Sequence, residues 1–457
     1  MPGLQPAAPR SVYAQRQGRL REGPDIPHTH FVIVGNGVAG IEAAFTIRER
    51  DPSAEITVIS GESPYYFSRT ALMYALMDRL SRQDLEPFER RVYDRQRIQR
   101  RHSWVTGLDA ERQLVSCDNG ETLNYDRLLL ATGSRPNVPA WPGLNEVTDG
   151  FTYFVSMQDL DRAERLATNA RRAVVVGGGL IGVELVECLV HFGIPVDYLI
   201  REPYYWPAAL EAAEAALVTE HLQRHGVNVM VDEEVAAVLH RNGRLTGLRT
   251  VKGTQMNCDF LGICIGVHPA MEWLTGVATP PETGRGIRVD TRFRTSLPAV
   301  FAAGDCAEIV LPDGTSLVEQ IWYAAKRQGR LAGRAMLGDA IDYRPPLFFN
   351  SAKFFRLEYT TVGVVTPLPA GARSFFFRHP SREATIRLVE QQGRLIGANF
   401  LGSRWDHTVL ERWIEERRSL DYAACHLRAA QFDVEFGGLD LRPFEAAYRA
   451  FRQSEAA

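Results

Sequence analysis

The sequence predicts an α/β fold in which two doubly wound parallel-sheet units share one chain, followed by an α+β portion. Three observations predict it. An apolar strand runs through spaced glycines into an amphipathic helix at 31–45, the same arrangement recurs at 171–193, and a third apolar strand, Val300 to Ala303, ends in Gly304-Asp305. A chain of 457 residues with 45% apolar composition is long enough for two or three domains with their own cores.

In the first unit, FVIVGNGVAGIEAAF, Gly35 lies where the chain turns out of the strand, Gly37 lets backbone approach a pyrophosphate, and Gly40 allows close helix packing. The helix N-terminus then offers free N–H groups and the positive end of its dipole to phosphate. The next strand, EITVIS, completes a βαβ unit, and Glu62 follows at about the 20-residue distance where an acid binds ribose hydroxyls. Residues from Tyr65 enter a helix whose Leu72, Met73, Leu76 and Met77 read as core. Asp118-Asn119-Gly120 is a hairpin signal, and Leu128 to Ala131 reads as a buried strand ending in Thr132-Gly133. The Pro- and Gly-rich exit between Pro136 and Gly150 marks a domain boundary.

The second unit repeats the glycine spacing at Gly177, Gly179 and Gly182 after the strand Ala173 to Val176, so two dinucleotides are implied in one chain. In the following strand Ile200 occupies the position of the acid that an NAD site uses, and Arg201 comes next, which favours NADPH. Glu202 is the alternative acid if the register lies two residues further on. A long helix is expected from Glu319, then strand-like hairpins to the C-terminal end. The expected organisation is a tail at 1–29, a discontinuous dinucleotide-binding domain at 30–150 and 285–342, an inserted one at 151–284, and a C-terminal α+β domain at 343–457.

The remaining features narrow the function classes. A net charge of -3, from 52 basic and 55 acidic residues, gives no electrostatic case for nucleic acid. No apolar run approaches the ~18 residues that a transmembrane helix needs. The opening 29 residues hold no apolar core of a secretory signal. Their arginines have a transit-peptide flavour, and a flexible tail is the blander reading. Six cysteines without a CxxC pair suit free thiols in a reducing cytoplasm. Cys306 reads as structural, and His407, Cys425 and His426 lack metal-ligand spacing, so no metal is expected.

Taken together, GNGVAG, LLLATGSRPNVPAWPG, GGGLIGVE, ICIGVHP and VFAAGDCAE, in this order, resemble the FAD-dependent pyridine nucleotide reductases of the glutathione-reductase-like superfamily from about residue 31 to 365. The resemblance implies FAD at Gly35, Gly37, Gly40, Glu62, Thr132, Gly133, Gly304 and Asp305, with Arg69 reaching toward the flavin or its phosphates. It implies NAD(P)H at Gly177, Gly179, Gly182 and Arg201, and Glu184 near the nicotinamide. It also implies that the helix from Glu319 points its N-terminus at the flavin. The disulfide-reducing branches carry one or two cysteines where this chain reads SRTALMYALM, with Arg69 in their place, so a thiol relay has no atoms to run on. What remains is the branch resembling rubredoxin and ferredoxin reductases and the flavin part of nitrite reductases. That branch implies an NAD(P)H oxidoreductase passing electrons to a small iron–sulfur or rubredoxin-type protein, and a homodimer. A quinone or small-molecule reductase, with the ending LRPFEAAYRAFRQ on a membrane surface, and a flavoprotein with an interaction role are the alternatives.

Overall fold

The computed structural model describes residues 29–432, 435 and 438–456, so the expected N-terminal tail lies outside the described residues apart from Thr29. The first parallel sheet has the order Val300–Ala302, Arg127–Leu130, His30–Val34, Glu55–Ile59, Ile98–Arg101. The second has the order Asn228–Val231, Val196–Ile200, Ala173–Val176, Phe260–Ile263, Phe151–Thr152, also parallel. In both, the strand entering the glycine turn is central and its residues are almost wholly buried, as expected when both sheet faces are covered. Where the chain passes between the two units, Ser134–Pro136 pairs antiparallel with Val267–Pro269.

Helix Trp322–Met336 lies against helix Val38–Arg50 along small residues. A Cβ on Gly329 would fall 2.2 Å from the Ala39 carbonyl oxygen, and one on Gly333 would fall 2.9 Å from that of Ala43. Backbones this close exclude any side chain at the contact, which holds the two helix N-termini at one end of the sheet. The helix starts at Trp322, three residues after Glu319. Glu319 is held in the preceding turn, where it accepts hydrogen bonds from Gln328 Nε2 (3.0 Å) and Tyr343 Oη (2.6 Å). Tyr343 is buried beside Phe293 in the first unit's core.

The helix expected after Tyr65 is short: one 3₁₀ turn at Arg69–Ala71, then Leu72–Leu76. Leu72, Met73, Leu76 and Met77 are buried as read, yet they pack with the second unit's core. The Asp118-Asn119-Gly120 hairpin forms between Leu114–Cys117 and Thr122–Asn124, with Gly120 at φ +83°.

The C-terminal portion is a five-stranded antiparallel sheet in the order Phe349–Phe354, Leu357–Gly363, Arg394–Leu401, Thr385–Gln391, Ala372–Arg378. Helix Arg442–Ala456 docks on it through Phe444, Tyr448 and Phe451 around Phe375. No helix among the described residues is long and apolar enough to cross a membrane. The sheet is tied to the second unit by Arg387, fully buried, which donates to Glu214 (3.0 Å), Glu211 (3.1 Å) and the Val365 carbonyl (2.7 Å).

Two stability changes follow. Arg387→Ala strands the buried Glu214 carboxylate and should cost about 3–5 kcal/mol in chemical denaturation, most of it returned by Arg387→Met with Glu214→Leu. Gly329→Val forces the two helices apart and should cost about 1–3 kcal/mol in the same measurement.

Candidate functional site

Both glycine units have the same local geometry. Gly35 turns at φ +108°, and a Cβ there would meet the Ala131 carbonyl oxygen at 2.1 Å. Gly177 turns at φ +118°, and a Cβ there would meet that of Cys264 at 2.1 Å. Gly40 and Gly182 press on the carbonyls of those turn glycines, where a Cβ would fall at 2.0 and 2.2 Å. Gly37 and Gly179, each an N-cap without a capping side chain, have nothing within 4 Å of the Cβ position. Each helix therefore opens with uncapped N–H groups facing a space that any side chain would fill, which is the fit a pyrophosphate needs.

Around the first unit the other predicted residues converge. Gly304, at φ +80°, abuts Ala39, and its N–H donates to Gln328 Oε1 at 2.8 Å. Gln328 in turn donates to Glu319, so one hydrogen-bonded chain locks the Gly304-Asp305 turn to the neighbouring helix. The Asp305 carboxylate accepts from Ser134 Oγ at 2.8 Å; burial pushes this carboxyl up, against the Ser134 bond and the charge of Arg69. Thr132 Oγ1 donates to the Ala270 carbonyl at 2.8 Å, and Gly133 has φ +72° with open space at its Cβ position.

Glu62 and Arg69 are bonded to each other. The Glu62 carboxylate accepts from Arg69 at 3.0 and 2.7 Å and from the Met157 N–H at 3.1 Å, while Arg69 also donates to the Val155 carbonyl. The Glu62 carboxylate is thus shared between Arg69 and the segment entering the second unit. At the end of the strand stands Gly61, covered by the Trp104 ring, beside a cavity of about 370 Å³ that Ser103, Asp118 and Asn119 also line. Nothing in the glycine spacing pointed to Trp104, Ser134 or Gln328, since each arrives from a distant stretch. The lone signal was that Ser134 follows an apolar strand.

In the second unit Tyr198 Oη donates to the Gly177 carbonyl at 3.0 Å, and Ile200 is the last residue of its strand. Arg201 is exposed and paired with Glu202 at 3.0 Å. Glu184 sits on the fingerprint helix, partly accessible, one turn from Glu187, which Lys353 of the C-terminal sheet contacts at 3.0 Å. Burial first, and then the Glu187 charge, lift the Glu184 carboxyl to about 7, with Lys353 opposing. All six cysteines are unpaired and none falls within 65–77. A second concavity, of about 1040 Å³, lies between the helices Val38–Arg50 and Trp322–Met336, lined by Trp322, Lys326, Arg327 and Arg330 among others.

The pattern of the pyridine nucleotide-disulphide oxidoreductases matches residues 29–329. The NADH-dependent phenylglyoxylate dehydrogenase subunit epsilon of Aromatoleum evansii is 29% identical over 82% of this chain and 86% of its own length. The rubredoxin-NAD(+) reductase of Pseudomonas putida is 28% identical over 72% of this chain and 85% of its own. The solved structure of an NAD-dependent persulfide reductase from A. fulgidus shares the fold, with a TM-score of 0.81 at 24% identity, covering 94% of this chain and 84% of that one.

The environment of Glu184 makes a titration prediction. Its side-chain carboxyl, followed by carbon-13 NMR, should titrate near pH 7. The midpoint should fall in Glu187→Gln, which removes a like charge, and rise in Lys353→Met, which removes an opposite one.

Proposed function

From the premise that this chain belongs to the pyridine nucleotide-disulphide oxidoreductase family, we propose that it passes electrons from NAD(P)H to a small iron–sulfur or rubredoxin-type protein. The family is one of FAD-binding, NAD(P)H-dependent oxidoreductases. The observation that carries the reading is the pair of uncapped glycine turns, each with room for a pyrophosphate, combined with a segment at 65–77 that holds no thiol. Bound at the first turn, FAD supplies the centre that takes a hydride from the nicotinamide and gives up electrons singly.

In this reading the chain's own residues position and tune. Gly35, Gly37 and Gly40 hold the FAD pyrophosphate, and Asp305, oriented by Ser134, accepts a ribityl hydroxyl. Thr132, Gly133 and Gly304 keep the backbone close to the cofactor. Glu62 holds Arg69 beside it. Gly177, Gly179 and Gly182 hold the pyridine nucleotide. Glu184, ionised above about pH 7, favours the positive charge that develops on a nicotinamide losing hydride, so flavin reduction should quicken as pH rises through that range. The rubredoxin named for one relative supports a protein acceptor without a cysteine relay. A homodimer through residues 343–457 and a reducing, cytoplasmic setting for six unpaired thiols belong to the same reading.

Anaerobic stopped-flow mixing with NADH or NADPH tests it through the visible flavin absorbance. Fast bleaching is expected, then recovery of colour on adding rubredoxin or a [2Fe–2S] ferredoxin, faster than with a soluble quinone. A yellow protein that neither nucleotide bleaches would sink the reductase assignment. Recovery with quinone alone would replace the acceptor.

A further inference from the structure

Two loops leave the second sheet side by side at the end where a Rossmann unit places the adenosine ribose of its nucleotide. One, after Val196–Ile200, carries Arg201 and Glu202. The other, after Asn228–Val231, carries Asp232, Glu233 and Glu234. Backbone bonds tie them together: the Asp232 N–H donates to the Glu202 carbonyl at 2.9 Å and the Glu233 N–H to that of Ile200 at 3.1 Å. Ile200 itself lies under the fingerprint turn, where a Cβ on Gly178 would be 2.9 Å from its Cγ2. The backbone of the second loop is therefore held beside the ribose end by the strand that defines it.

The charge balance there is unfavourable to a phosphate. Four carboxylates, Glu202, Asp232, Glu233 and Glu234, stand with two cations, and each cation is already engaged: Arg201 with Glu202 at 3.0 Å and Lys252 with Asp232 at 2.8 Å. Glu233 is 9% exposed, and its Oε2 has no hydrogen-bond donor among the described residues. A ribose 2′-hydroxyl brings a donor to such a surface, whereas a 2′-phosphate brings further negative charge.

Resting on the reading that the second glycine turn takes the pyridine nucleotide, we infer that Glu202 and Glu233 make this site select NADH over NADPH. Arg201, the residue that would greet a 2′-phosphate, is paired with Glu202, and the loop bonded to its strand end carries the buried Glu233, whose Oε2 has no donor among the described residues.

The test is anaerobic flavin bleaching by NADH and by NADPH in the full-length holoprotein and in Glu202→Gln, Glu233→Gln and the double variant. The wild-type protein should favour NADH by about tenfold or more, the cost of placing like charges together. Each single variant should raise the NADPH-to-NADH ratio of kcat/KM, and the double variant should approach parity. Faster reduction by NADPH in the wild type, or an unchanged ratio in Glu202→Gln, would overturn the inference while leaving the reductase assignment standing. Glu202 is on the surface, so its variant answers even if Glu233→Gln fails to fold. No bleaching by either nucleotide would remove the premise and the inference together.

Discussion

The close approach of each turn glycine to the neighbouring strand is the constraint on which the rest of this structure depends. Gly35 and Gly177 have their Cβ positions filled by the backbone oxygens of Ala131 and Cys264, and both adopt positive φ. A side chain at either point would have to displace main chain, which a close-packed interior does not permit cheaply. Because the strand can end that tightly, the following helix starts directly above the sheet edge, and its first N–H groups face outward without a cap. The third motif then falls into place, since Gly304 packs on Ala39 in that same first turn.

The helix pairing reinforces this geometry by a different physical means. Gly329 and Gly333 let Trp322–Met336 lie on Ala39 and Ala43 at backbone distance, and Gln328 on the same helix bonds Gly304. One helix thus positions the Asp305 turn both by contact and by hydrogen bond. The C-terminal sheet is coupled to the other unit by charge. Arg387 meets Glu214 in a buried ion pair, and its Nη1 also donates to Glu211 and the Val365 carbonyl, while Lys353 meets Glu187 beside Glu184. The C-terminal sheet, through Lys353, therefore opposes the rise that burial and Glu187 impose on a carboxylate of the fingerprint helix.

The chemistry open to this arrangement is bounded by what the chain lacks as much as by what it holds. The two glycine turns have equivalent geometry, and the chain between the units is braced by the pairing of Ser134–Pro136 with Val267–Pro269. Cys306, tempting by its place beside Asp305, is buried with its thiol raised, and its Sγ lies 3.4 Å from the Leu130 carbonyl. Such a sulfur packs and does not react. In the proposed reading the chain contributes position and field, and transfer onward falls to a separate acceptor.

The sequence by itself determined the two βαβ units, the glycines at their turns, the buried strand before Asp305 and the hairpin at Gly120. These are local signals: an apolar run of strand length, a glycine where φ must be positive, and helical spacing after it. Everything decided by long-range pairing was invisible to it. Glycine spacing and strand runs do not show that Arg69 and Met157 donate to the Glu62 carboxylate, that Glu202 pairs with Arg201, or that Tyr343 and Gln328 both donate to Glu319 just before the helix from Trp322. Trp104 and Gln328 joined the site only through contacts made by the fold. Glycine spacing encodes a backbone shape that its own neighbours enforce, whereas the partner of a charged side chain is chosen by which distant segments the packed sheets bring together.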